Sequence, residues 1–330
     1  MVLLKIRIFT LTLAILGSFF VNPSAYADNG ITHYTAKCGN PTPVTSYFSV
    51  VSGNGKVVVK TAKQPYVQVS IDNQVSWKYV SIPGANNIVF SAMSFDGSRI
   101  YVGDSNGRGI WLSTNFGTSW ESVNYPISPY PVSGVATTQD GRTIYVATGP
   151  DIYKSPNAGL TWTQIPILDN HQWTAISSSS TGKYLLLNAT DGAYFSRDFG
   201  ATVQKVLSFS GLAELNQLSG DGRTLLVQED FAGINHLSID FGQTWISFPG
   251  IAGAVGVSGD GNTVVAYTLS AKTGLPYWAY SGTSRIKWKN IDSLSGTGNV
   301  FYYLYAGLYV YPEAKQILLG SCLNSRVGEE

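Results

Sequence analysis

Ser113-Thr114-Asn115-Phe116-Gly117-Thr118-Ser119-Trp120 returns along this chain at nearly constant spacing, and the recurrence sets the architecture. Clear copies run Ser155 to Trp162 and Ser238-Ile239-Asp240-Phe241-Gly242-Gln243-Thr244-Trp245. Weaker copies run Ser70 to Trp77 (Gln74-Val75 replaces Gly-x), Ser196 to Val203 (no Trp) and Ser281 to Trp288 (neither Asp nor Gly). The leading serines stand 43, 42, 41, 42 and 43 residues apart. A fixed period in the forties marks units that cannot bury their apolar faces alone and must stack or close on one another.

Outward from the motif, each unit reads as four short strands. In the second unit these are 87–94, 99–103, 109–113 and 120–123, with a turn at Asp96-Gly97 and the motif as the last turn. β-Branched and aromatic residues alternate within each run. The first turn recurs as Asp140-Gly141-Arg142, Asp221-Gly222-Arg223 and Asp260-Gly261-Asn262. Asp-Gly suits a two-residue hairpin because that turn needs positive φ. Four-stranded units of about 42 residues predict an all-β chain folded as a β-propeller. Six units cover 43–292, and 307–312 with 316–321 resemble the first two strands of another. Residues 31–37 can complete it from the other terminus, so seven blades, closed by mixing the two ends, are favoured over six.

The ends carry further signals. Lys5 and Arg7 precede an apolar stretch from Ile8 to Val21, and Ala25-Tyr26-Ala27 supplies an A-x-A site. Residues 1–27 therefore read as a secretory signal peptide, leaving 28–330 as one domain. That apolar run is short for a membrane span of about 20 residues, and no later segment is long or apolar enough. The two cysteines, Cys38 and Cys322, lie near opposite ends of the remaining chain. An oxidising compartment makes a disulfide between them the expectation, stapling a circular fold where its ends meet. The expected localisation is secreted or periplasmic. Charged residues make up 12% of the chain and the net charge is +1, which argues against nucleic acid and anionic membranes as partners. A monomer is expected.

The motif resembles the Asp-box, or BNR repeat, found in sialidases, xyloglucanase propellers, sortilin-type receptors and photosystem II assembly-factor propellers. The resemblance implies that the box forms the turn between the third and fourth strands of a blade. There its acid or amide and its hydroxyls hold backbone groups, Gly takes the left-handed conformation, and Trp packs between blades. Asp72, Asn115, Asn157, Asp198 and Asp240 are then structural, as are Trp77, Trp120, Trp162, Trp245 and Trp288. It also implies that ligands meet the opposite face, built from loops joining strands two and three and loops joining consecutive blades.

Those loops hold the candidate site residues. For a glycosidase-type carboxylate pair they are Asp104, Asp151, Asp169 and Glu229. For ligand contact they are Arg108, Tyr125, Tyr130, His171 and Trp173, since aromatics stack on sugars and polar tips bond their hydroxyls. A sialidase is not expected. Its three-arginine clamp cannot be assembled from seven arginines past the leader, of which Arg108 alone clearly belongs to the ligand face. His33, His171 and His236 fall in different units with no H-x-x-x-H spacing, so no metal site is expected. No phosphate loop, G-x-S-x-G elbow or CxxC appears, and no cofactor is expected. The leading expectation is a binding or scaffold propeller presenting its loop face to a protein or glycan. The alternative is a non-sialidase glycoside hydrolase.

Overall fold

The computed structural model describes residues 26–28, 31–34, 309–310, 316–318 and, apart from short segments, 48–290. Its described strands form seven four-stranded sheets. Six are consecutive in sequence, spanning 48–81, 88–122, 132–164, 173–208, 215–249 and 255–290, and are blades 1 to 6 here. Within each, neighbouring strands pair antiparallel in chain order, as successive hairpins require.

The seventh sheet mixes the termini. Tyr309–Val310 pairs with Gln316–Leu318, which pairs with Ile31–Tyr34, which pairs with Tyr26–Asp28. The junction between the two ends is parallel, with Thr32 opposite Gln316. No hairpin joins those strands, so either direction can satisfy the ladder. The outermost strand begins at Tyr26 and so overlaps the expected cut after Ala27 by two residues. Cys38 and Cys322 lie outside the described residues.

Burial follows radial position. Second strands are flanked by a blade on each face, and Ile100–Asp104, Ile144–Thr148 and Leu185–Ala189 are buried at every residue. Their runs are consequently almost continuously apolar, as for strands covered on both sides. Fourth strands such as Glu121–Ser122 and Gln204–Ser208 face solvent. The core lies between blades: Val59, Val67 and Val69 of blade 1 pack with Ile100, Val102 and Trp120 of blade 2. Tyr101, Ile110 and Tyr125 similarly pack against Val132, Ile144 and Val146.

The first turns of the blades carry a device of their own. In Ser94-Phe95-Asp96-Gly97, the Ser94 hydroxyl donates to Asp96 and accepts the Arg99 N–H. The same pattern holds around Thr138, Ser219 and, in its donor half, Ser258. The second residue of each turn bonds the next blade through the backbone. Gly53 N donates to Phe95 O, Phe95 N to Gln139 O, Gln139 N to Ser180 O, Ser180 N to Gly220 O, and Gly220 N to Gly259 O, all at 2.6–2.9 Å. Six blades are thus linked by a chain of peptide hydrogen bonds around the axis. Side chains add to it: the hydroxyls of Tyr101 and Tyr145 donate to Gly141 O and Gly182 O of the following blades. Burial pushes both phenols up to about 12, so they stay protonated donors.

Candidate functional site

The motif turns occupy one rim. In blade 5 the Ser238 hydroxyl donates to Asp240 Oδ1 and accepts the Gly242 N–H, while Thr244 donates its N–H to Oδ1 and its hydroxyl to Oδ2. Blade 4 repeats this with Ser196, Asp198, Gly200 and Thr202. Asn115 and Asn157 use the amide instead, donating from Nδ2 to Ser119 and Thr161. Asp72 bonds Ser70 and Ser76. The donor set holds the Asp198 carboxyl below its usual range, Thr202 foremost; for Asp240 and Asp72 the donors outweigh an opposing burial effect. These acids are spent on their own turns.

One feature of these turns is absent from the sequence reading. The residue before each motif Gly is also left-handed: Phe116, Ala158, Phe199 and Phe241 lie at φ 56–61°, followed by Gly117, Gly159, Gly200 and Gly242 at 78–93°. For Phe this conformation is strained, and the Ser–Asx network on both sides holds it. The tryptophans divide. Trp120 is buried between blades 1 and 2, and Trp162 donates to Asn124 O and Gly159 O while meeting Tyr125 edge-on. Trp245 packs partly buried on the cluster of blades 4 and 5. Trp77 carries the Lys60 ammonium 4.2 Å over its ring, and burial lowers that lysine to about 8. The side chain of Trp288 lies outside the described residues. Val203, at the Trp position of blade 4, fills the corresponding gap only partly buried.

The opposite rim holds the candidate acids, and the structure separates them. Asp104 closes the second strand of blade 2 at 0% exposure. Its Oδ2 accepts the N–H groups of Asn86 (2.6 Å) and Asn87 (3.1 Å), and its Oδ1 that of Asn106 (2.7 Å). Through these bonds it clamps two loops together. Asp151 of blade 3 accepts from Gln164. Glu229 of blade 5 contacts His236 Nε2 at 2.6 Å. These three acids lie in three different blades with separate partners. Asp169 and Arg108 lie outside the described residues.

Two of the aromatic candidates are buried. Trp173 is 2% exposed, with its indole N–H on Pro150 O, and Tyr125 is 5% exposed against Trp162. Both are core residues at the blade ends and offer no face to a sugar. Tyr130 is exposed. His171 stays at the surface edge, within a cluster that the sequence reading identified only in part. Its Nδ1 lies 3.3 Å from the Tyr194 hydroxyl and 3.5 Å from Asp191, and its ring meets Tyr194 at 4.5 Å and Trp173 at 5.2 Å between centroids. Tyr194 donates to Asp191 at 2.8 Å, and Lys205 reaches the same carboxylate oxygen at 2.5 Å. Burial opposes, but the bonds from Lys205 and Tyr194 prevail and lower the Asp191 carboxyl. Reaching Tyr194 and Lys205 from His171 requires the strand register of blade 4, which spacing alone does not supply.

Between the rims the inner strands line a central cavity of about 330 Å³ that opens to solvent. Its walls mix apolar side chains such as Met93, Val135 and Ile176 with the hydroxyls and amides of Ser91, Ser133, Thr137, Ser177 and Asn216.

No family model and no curated protein matches this chain. Solved structures do match. The beta-propeller domain of Cps50 (Swd1) from Myceliophteria thermophila aligns with 82% of this chain and 91% of that one, at 15% identity and TM-score 0.60. The GH74 xyloglucanase from Xanthomonas campestris aligns with 84% of this chain at 12% identity and TM-score 0.62. The match covers 51% of that enzyme, so this chain spans about half its length. Identities this low speak for the fold alone, and with the seven sheets they define the chain as a β-propeller.

Proposed function

We propose that this chain is a binding propeller of Asp-box type, exported from the cytoplasm after removal of residues 1–27, that recognises a protein or a glycan on the rim opposite its motif turns. One observation carries the reading: Asp104, Asp151 and Glu229 are held in separate blades, and each is engaged by its own neighbours. A glycosidase needs two carboxyls about 5–10 Å apart facing one bond, whereas each of these three is turned to its own partner: backbone N–H groups, Gln164 and His236. The central cavity is lined by uncharged residues, apolar ones among hydroxyls and amides, which supports recognition of an uncharged ligand over an ionic one. A Cys38–Cys322 disulfide completes the proposal, joining the two ends whose strands share the seventh sheet.

The second reading, hydrolysis of a glycoside, draws on the xyloglucanase likeness. A glycan array run beside a screen of chromogenic glycosides separates the two. Array binding without turnover supports the binder, and turnover abolished by Asp151→Ala or Glu229→Ala but not by array-silent surface changes replaces it with the hydrolase. Intact mass of the non-reduced protein tests the disulfide, and the N-terminal residue of secreted material tests the leader.

A further inference from the structure

Blade 5 carries a line of three side chains that the binding reading leaves unused. Glu229 ends its second strand, His236 sits in the third strand, Ile234–Ser238, and Ser247 lies in the fourth, Ile246–Pro249. Ser247 is directly opposite His236, and Glu229 pairs with Ile234, two positions from His236, so all three project from one face of the sheet. His236 Nε2 is 2.6 Å from Glu229 Oε1, and His236 Nδ1 is 2.9 Å from Ser247 Oγ. His236 and Glu229 are largely shielded, while Ser247 is exposed. The Phe209 ring lies nearly parallel to the imidazole, 12° between planes and 6.5 Å between centroids.

We infer that Ser247, His236 and Glu229 form a nucleophilic site that acts on small esters. A carboxylate only accepts, so the short contact to Glu229 places the imidazole proton on Nε2. Nδ1 then carries the lone pair, aimed at the hydroxyl of Ser247. This is the division of roles in a Ser–His–acid relay, with the two ring nitrogens exchanged relative to the usual arrangement. Three adjacent strands of one sheet fix the spacing, so the geometry does not depend on a loop. Phe209 gives the site an apolar wall, which favours a short acyl chain over a charged one.

The chemistry balances without another reactant than water. The Ser247 oxygen attacks the ester carbonyl carbon, and its proton passes to Nδ1 of His236. Collapse of the adduct breaks the bond to the alkoxy group, which takes that proton and leaves as the alcohol. Water then attacks the acyl-serine, giving its proton to the same nitrogen, and the carboxylic acid departs as Ser247 regains its hydrogen. Ser247 and His236 are the catalytic residues; Glu229 is a positioning residue acting through the imidazole.

The test uses the folded full chain and a reporter-tagged alkyl fluorophosphonate, in which the serine oxygen displaces fluoride from phosphorus. Mass mapping should find one adduct, on Ser247, and none in S247A. The labelling rate should fall at least about 100-fold in H236A, the scale of a lost general base. It should fall in E229A and be partly rescued by E229D, a recovery that simple packing damage would not show. Hydrolysis of p-nitrophenyl acetate and butyrate should follow the same order. H236A removes a shielded ring and can unfold, so S247A and urea-unfolded wild-type protein are run alongside. Labelling that is equal in S247A or survives unfolding unchanged overturns the proposal, as does the absence of an adduct or of ester turnover.

Discussion

Replacing Asp104 by Asn is the sharpest perturbation of the loop rim, because the two side chains share a shape and differ in what they can accept. The carboxylate takes two N–H groups on Oδ2 and one on Oδ1 at 0% exposure. An amide keeps one acceptor oxygen and turns an NH2 toward donors, so either the Asn86–Asn87 pair or Asn106 loses its acceptor. An orphaned buried donor costs about 1–3 kcal/mol, and charge-assisted bonds stand at the upper end. Asp104→Asn should therefore destabilise by about 3 kcal/mol, and Asp104→Ala, which strands all three donors, by about 4 kcal/mol. For a chain of this size that is a fall in Tm of about 5 °C. Urea titration monitored by tryptophan fluorescence reads the difference as a lower midpoint at unchanged slope. The reasoning is refuted if Asp104→Asn unfolds within about 0.5 kcal/mol of wild type.

Three further outcomes follow from the same geometry. Trp173→Leu should cost about 3 kcal/mol through its lost buried volume and its bond to Pro150, and leave ligand affinity unchanged; calorimetric unfolding and a binding titration read the two halves. Gly220→Val should cost about 2 kcal/mol or more, because a Cβ there would stand 2.5 Å from Ser180 Oγ and 2.9 Å from Gly259 O, prising apart the inter-blade peptide bonds; thermal melts of the variant measure it. The carboxyls of Asp72, Asp198 and Asp240 are all lowered in the folded state, so the unfolded chain takes up protons first as pH falls. Their contribution is complete above the unfolded value of about 3.9 and disappears as pH falls through the lower folded values, a decline that unfolding midpoints should show weakened in Asp198→Asn.

The fold was legible because the motif repeats a local necessity. Each Ser-x-Asp/Asn-x-Gly-x-Ser/Thr turn closes on its own side chains, so the spacing of Ser113, Ser155, Ser196 and Ser238 reads out blade spacing directly. The first turns were legible as Asp-Gly hairpins, but the chain of peptide hydrogen bonds between them was not. It joins Gly53, Phe95, Gln139, Ser180, Gly220 and Gly259, whose side chains share nothing because only their backbones take part. The left-handed Phe116 and Phe199 were likewise hidden, since a bulky residue at positive φ runs against local preference and is imposed by the turn.

The candidate site was less legible. Trp173 and Tyr125 stand where strand meets loop, and an aromatic there reads equally well as rim or as core until the neighbouring blade is placed. Asp104 has the same ambiguity: an acid before Ser-Asn-Gly looks available, yet the backbone of the preceding inter-blade loop folds over it. Glu229, His236 and Ser247 are 7 and 11 residues apart, and only the register of three paired strands brings them into line.

The central claim, recognition on one rim and architecture on the other, is most directly tested by amide hydrogen exchange with and without a ligand taken from the glycan or partner screen. The account predicts new protection in the inter-blade connections, such as 82–87, 123–126 and 165–167, with the motif turns 113–120, 155–162 and 238–245 unchanged. Protection concentrated in those turns, with the opposite rim indifferent to ligand, would contradict it.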